Sequence, residues 1–150
     1  MKRFYLEFPG NIESLCPVAE FVLKACHAVT SPPLPGELIS AICLVASEAV
    51  TNAIMHGVRH EGDLLSVTIV VHDDMISVRV VDHGPGFDLD EVIPPDLDQP
   101  AESGYGIFVI KSLMDEVSYV RGDDANALIM IKRFGRKPET VCRQKTGEIS

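Results

Sequence analysis

Three observations predict an α+β domain for this 150-residue chain. Apolar and polar residues alternate with period two at residues 2–8, 64–72, 75–82, 117–121 and 127–134, the mark of half-buried strands. Apolar residues recur at three- and four-residue steps over 12–29, from near Glu37 to Gly57, and over 103–117, the mark of amphipathic helices. Finally, Asp73-Asp74 sits between two strand signatures at the spacing of a tight hairpin.

Composition bounds the rest. The length suits one domain, and 46% hydrophobic with 23% charged residues is ordinary for a globular chain. A net charge of −9, from 13 basic and 22 acidic residues, argues against nucleic acid or an anionic membrane as the main partner. It leaves room for a basic partner, or for a phosphate ligand that carries its own Mg²⁺. Cys16, Cys26, Cys43 and Cys142 form no C-x-x-C pair and no zinc-like spacing with histidine; three of them sit in apolar helical runs, where a thiol acts as a small hydrophobe. The N-terminus lacks the apolar stretch of a signal peptide, and no run approaches a membrane span. The expected compartment is reducing and cytoplasmic.

In chain order, the first strand alternates Phe4, Leu6 and Phe8 against Arg3, Tyr5 and Glu7, and Pro9-Gly10-Asn11 ends it. The first helix carries Pro17 in its first turn, where a helix tolerates proline. A proline-rich turn over 30–36 precedes the second helix, which contains LVASEAVTNAIMHG at 44–57, and Gly57 is expected to end it in a left-handed conformation. The hairpin follows, leading into VVDHGPGFD at 80–88. Prolines and acidic residues over 89–103 rule out a continuing strand or helix, and a loop of that length in a small domain reads as a lid. A glycine-rich opening then runs into the third helix, SGYGIFVIKSLMDEV at 103–117, and two strands flank a turn at 122–124. From Gly135 the periodicity is lost, so residues 135–150 are expected to be a disordered tail after a domain spanning 1–134.

Three stretches carry chemistry. Glu48, Asn52 and His56 fall on successive turns of one helical stripe, so their side chains can address a single ligand. Asn52 can offer a neutral oxygen to Mg²⁺, and Glu48 can take a proton from an attacking hydroxyl; His56 reads as structural. Asp82 ends a strand just before Gly84 and Gly86, where a carboxylate can accept from an exocyclic amine and glycine lets backbone approach a flat ring. Ser103-Gly104-Tyr105-Gly106 presents backbone N–H groups at the positive end of a helix dipole, a ready phosphate site. Taken alone, the stripe reads first as a decorated helix face and the Asp82 stretch as a plain strand exit, and a lone G-x-G is a weak signal that a helix cap explains as well.

Their order is what discriminates. E-x-x-x-N on a helix, then a hairpin, D-x-G-x-G, a lid and G-x-G opening a helix resembles the N, G1 and G2 boxes of the GHKL ATPase superfamily. SEAVTNAIMHG at 47–57 and SGYGIFVIKSLMDEV at 103–117 are similar to its single-domain branch, the bacterial anti-sigma factor serine/threonine kinases, and the resemblance runs from Phe4 to Phe134. It implies a two-layer α/β sandwich: a mixed, mostly antiparallel sheet covered on one face by helices, with ATP between helices and lid. It further implies Asn52 as Mg²⁺ ligand, Glu48 as catalytic base and Asp82 as adenine acceptor. Gly84 and Gly86 would shape the base pocket, and Ser103, Gly104, Tyr105 and Gly106 would wrap the phosphates. The implied partners are a sigma factor or related regulator, held inactive, and an anti-sigma antagonist protein, phosphorylated on serine or threonine; a homodimer is also implied, and direct nucleic-acid or membrane binding is not.

Two departures favour an alternative, a non-catalytic, nucleotide-gated partner switch. The family commonly has a hydroxyl-bearing G-T-T-like turn before its last strand, where this chain has Asn126-Ala127-Leu128, and a basic residue just before the lid glycine, where it has Glu102. A sensor histidine kinase would need a phosphoacceptor helix pair ahead of Phe4, and none is expected.

Overall fold

The computed structural model describes residues 1–29, 32–91 and 105–135. In order, the elements are β1 (Lys2–Pro9), α1 (Leu15–His27), α2 (Gly36–His56), β2 (Leu64–Val71), β3 (Met75–Asp82), α3 (Tyr105–Leu113), β4 (Glu116–Arg121) and β5 (Asn126–Arg133). Short 3-10 turns occupy Ile12–Ser14 and Leu89–Glu91. The five strands form one sheet in the order β1-β2-β3-β5-β4, and the α+β sandwich expected from the sequence is the observed architecture. Among the described residues every pairing is antiparallel, so the sheet is not mixed in direction. The reason lies in the last hairpin: β4 takes the edge, and the chain turns back at Gly122, whose N–H meets the Ala125 carbonyl at 2.9 Å, to lay β5 between β3 and β4.

Period-two patterning sets the layers. Leu65, Val67, Ile69, Ile76, Val78 and Val80 face the helices and are buried, while Ser66, Thr68, Ser77 and Arg79 alternate with them on the open face. α2 buries Leu38, Ile42, Val45, Ala49, Val50 and Ala53, and it packs against β2 and β3 of the sheet and against α1 and α3. This helix corrects one reading of the sequence. Over 21 residues, with a mean hydropathy of 1.8, it is long and apolar enough by composition to cross a membrane. Its polar stripe and its burial between α1, α3 and the sheet account for that composition as a core helix.

Other boundaries shift modestly. The helix expected over 12–29 opens with the 3-10 turn and becomes α-helical at Leu15, and α3 stops at Leu113, where Met114 N–H still bonds the Ile110 carbonyl. Cys26 is buried and Cys43 half-buried, but Cys16 is exposed rather than packed. Gly57 ends α2 at φ −106°, ψ 11°, not in the left-handed region. Glycine is required there for space: a Cβ would lie 2.4 Å from Cβ of Asp82. The greater part of the expected lid, Glu102, Ser103, Gly104, Cys142 and the tail from residue 136 lie outside the described residues.

Candidate functional site

The topology brings three ends together: the last turns of α2, the end of β3 and the start of α3. They enclose a cavity of about 410 Å³. Ala49, Asn52, Ala53 and His56 supply one wall from α2, and Gly106 and Ile107 another from α3. The sheet contributes Val80, Asp82, Tyr119 and Leu128, and the loop after β3 contributes Pro85, Gly86 and Phe87. The lining is largely apolar with a few polar groups converging on it, as in a small-molecule site.

Asp82 is held by its surroundings. Gly84 N–H donates to its Oδ1 at 3.0 Å, and the Asn126 amide donates to the same oxygen at 3.0 Å. The second Asn126 N–H goes to the Gly84 carbonyl at 2.9 Å. Behind the carboxylate, α2 and the loop meet backbone to backbone. The His83 N–H bonds the Gly57 carbonyl at 2.9 Å, and a Cβ on Gly84 would lie 2.4 Å from the His56 carbonyl oxygen and 2.8 Å from the Gly57 Cα. Gly84 thus seats the loop on α2 and is not part of the cavity wall, while Gly86 is, with φ +77° in the left-handed region that favours glycine. Arg121 fastens the same loop by donating to the Pro85 carbonyl at 3.1 Å.

Glu48 and Asn52 meet at Gly106. A Cβ there would lie 2.9 Å from Glu48 Oε2 and 3.3 Å from Asn52 Nδ2, so the second glycine of G-x-G is what allows α3 to start against these two side chains. Asn52 lines the cavity and Glu48 stands at its rim, outside the lining. Neither side chain has a hydrogen-bond or ion-pair partner among the described residues. Polar groups left unspent one helical turn apart, beside a helix start, suit a phosphate-bound cation with few protein ligands. Among the described residues no group of three His, Cys, Asp or Glu side chains could hold a metal without such a ligand.

His56 is exposed at the cavity edge. Tyr105 begins α3, and Ser103 and Gly104 lie outside the described residues.

Phe87 and Tyr119 stack with ring centroids 4.2 Å apart and close one side of the cavity. Burial, and then the charge of Asp82, push the Tyr119 hydroxyl up to about 12. Neither aromatic was singled out from the sequence. Phe87 directly follows the D-x-G-x-G glycines, and Tyr119 occupies an inward position of β4, cross-strand from Leu128; both signals were present. In the sequence Asn126 stands out only for the hydroxyl it lacks, whereas in the structure its amide reaches Asp82 and Gly84. Its place opposite Asp82 comes from the pairing of β3 with β5, which no local stretch of sequence carries.

Comparison with known proteins agrees with this geometry. The histidine kinase-like ATPase domain family matches residues 9–132. A "Serine-protein kinase RsbW" of Listeria monocytogenes serovar 1/2a is 34% identical over 110 residues, covering 67% of this chain and 69% of that protein. An "Anti-sigma F factor" of Bacillus cytotoxicus is 30% identical over 113 residues, covering 71% and 76%. The fold is similar to that in a crystal structure of the RsbU and RsbW domains of Rv1364c from Mycobacterium tuberculosis, with a TM-score of 0.67 at 16% identity; the match covers 91% of this chain and 34% of that longer one. The chain belongs to the histidine kinase-like (GHKL) ATPase superfamily and, within it, to the bacterial anti-sigma factor kinase branch.

Proposed function

We propose that the chain is an ATP-dependent serine/threonine protein kinase of the cytoplasm that phosphorylates an anti-sigma antagonist and sequesters a sigma factor or related regulator. The observation that carries this reading is the junction at Gly106, where Glu48 and Asn52 stand together beside the start of α3 at one end of the Asp82 cavity. Asp82 would accept from the exocyclic amine of adenine, Ala53, Ile107, Phe87 and Leu128 would enclose the ring, and Asn52 would hold Mg²⁺. Ser103, Gly104, Tyr105 and Gly106 would give backbone N–H groups to phosphate. ATP with Mg²⁺ supplies the phosphoryl group and the neutralising charge. Glu48 at the rim accepts the proton of the antagonist's hydroxyl as its oxygen bonds the γ-phosphorus, the β,γ-bridging bond breaks and ADP leaves.

Of the two departures behind the non-catalytic reading, the one at Asn126 still braces the base acceptor: where a turn hydroxyl is expected, its amide donates to Asp82 and to the Gly84 carbonyl rather than to a nucleotide.

The test is transfer of γ-labelled phosphate from ATP to a co-encoded antagonist domain. The unsubstituted protein should label it, Glu48→Gln should abolish labelling with ATP affinity within about twofold, and Asn52→Ala should weaken Mg²⁺-dependent ATP binding at least tenfold, a loss of roughly 1.4 kcal/mol. Binding of Mg²⁺-ATP with no transfer to any antagonist would leave the partner-switch reading in its place.

A further inference from the structure

We propose that Asn126 is a positioning residue that makes Asp82 selective for a base bearing an exocyclic amine. The inference rests on the nucleotide-binding reading above and concerns a residue to which that reading gives no selectivity.

Among the described residues only Ser14 and Asn126 are buried and polar, at 6% and 3% exposure. Burying an amide is costly unless its hydrogen bonds are made. Ser14 is accounted for locally, since its hydroxyl bonds the Pro9 carbonyl at 2.7 Å where the chain enters α1. Asn126 has no such local purpose. It opens β5 directly opposite Asp82 in the register, and it spends both amide hydrogens on the D-x-G segment, at 3.0 Å to Asp82 Oδ1 and 2.9 Å to the Gly84 carbonyl.

Both partners are pure acceptors, so chemistry fixes which way the amide faces. The flipped amide would set its oxygen against two oxygens. One end of Asn126 is therefore a two-pronged donor that ties the carboxylate to the loop backbone.

The consequence falls on Asp82. The torsion that turns a carboxyl about its last bond is broad and roughly two-fold, so an aspartate does not hold its plane unaided. Here Oδ1 accepts from both Gly84 N–H and Asn126, which sets the plane. Oδ2 has no partner among the described residues and is the oxygen free to serve the cavity that Asp82 lines. A fixed acceptor discriminates sharply: it pairs with an N–H donor and faces a carbonyl or a bare ring edge unpaired, where a loosely held one could turn aside.

The measurement is binding of ATP, and of purine riboside triphosphate, which lacks only the 6-amino group, in the presence of Mg²⁺. The unsubstituted protein should favour ATP by about tenfold or more. Asn126→Ala should lose roughly tenfold in ATP affinity, as for one charged hydrogen bond, and should bind purine riboside triphosphate as before, so that the preference collapses. In an Asp82→Asn background, Asn126→Ala should cause no further loss. Equal loss on both nucleotides, with the preference intact, would overturn the positioning role and leave Asn126 merely structural. An unsubstituted protein that binds both nucleotides alike, or neither, would overturn the base-acceptor reading itself, an outcome visible before any substitution is made. Should Asn126→Ala not fold, the side-chain amide resonances of Asn126 in the intact protein decide the matter. ATP should shift them and purine riboside triphosphate should not; equal shifts refute the role.

Discussion

A single methyl group added at Gly84 tests how the site is built. A Cβ there would lie 2.4 Å from the His56 carbonyl oxygen and 2.8 Å from the Gly57 Cα, both backbone atoms at the end of α2. Non-bonded carbons rest at about 3.5–4.0 Å, so the loop and the helix end must part by roughly 1 Å. No side chain can swing away to absorb that. Overpacking of this kind costs about 1–3 kcal/mol, and the upper end applies because Gly84 N–H and Gly84 O also anchor Asp82 and Asn126. For a domain of this size, about 3 kcal/mol lowers Tm by roughly 6–12 °C. Gly36 is the control: it opens α2, nothing lies within 4 Å of its would-be Cβ, and Gly36→Ala should be neutral or stabilising by up to about 1 kcal/mol. Calorimetric Tm and ATP affinity of the two variants are the assay. Gly84→Ala should lose both stability and affinity, and Gly36→Ala neither. If the two alanines behave alike, the backbone-to-backbone seating of the loop on α2 is wrong.

Three further outcomes follow from the same contacts. Both ring nitrogens of His83 face carbonyl oxygens, Asp124 at 3.0 Å and Leu64 at 2.9 Å, and the bond to Asp124 is the first cause raising its pKa above 6.5. Only imidazolium donates to both carbonyls, so the stability His83 adds is fully present below about pH 6.5 and is lost as pH rises through the raised value. Urea unfolding of the unsubstituted protein and of His83→Ala, compared from about pH 5.5 to 9, should show a gap that is widest at the acid end. Tyr119→Ala should break the 4.2 Å stack with Phe87, cost about 0.5–1.5 kcal/mol beyond the area lost and weaken ATP binding, whereas Tyr119→Phe should bind ATP nearly as the parent does; equal effects would remove the stack from the site. Burial, with nearby Cys43 adding to it, pushes the Cys26 thiol up to about 12, so alkylation at neutral pH should label exposed Cys16 promptly and Cys26 only on unfolding, as read by mass spectrometry.

What could be read from the sequence divides along a physical line. Period-two and three-residue patterning record which face of each element meets the core, and all five strands and three helices were legible from it. So was the juxtaposition of Glu48 with Asn52 on one helical stripe, and the position of Asp82 at a strand end, because both are local properties. Strand order was not legible: insertion of β5 between β3 and β4 depends on which edges meet, and no window of sequence contains that. The glycines show the same boundary most clearly. Read locally, Gly57 was a left-handed helix end and Gly84 a place for a flat ring to approach. In the structure each is glycine because of the other's neighbourhood, Gly57 against Asp82, and Gly84 against His56 and Gly57. Likewise Asn126 was a missing hydroxyl when compared by position, and is a pair of donors when its partners 44 and 42 residues away are in view. Chemistry carried by one element can be read from residue types at their spacing, whereas chemistry that depends on two backbones touching, or on a donor reaching across strands, exists only once the sheet has brought them together. The adenine end of the proposed site is of the second kind and the Glu48–Asn52 end, apart from Gly106, of the first. Substitutions that loosen the fold without unfolding it should therefore erode base selectivity before they erode the Mg²⁺ requirement, and the two can be followed in one binding series.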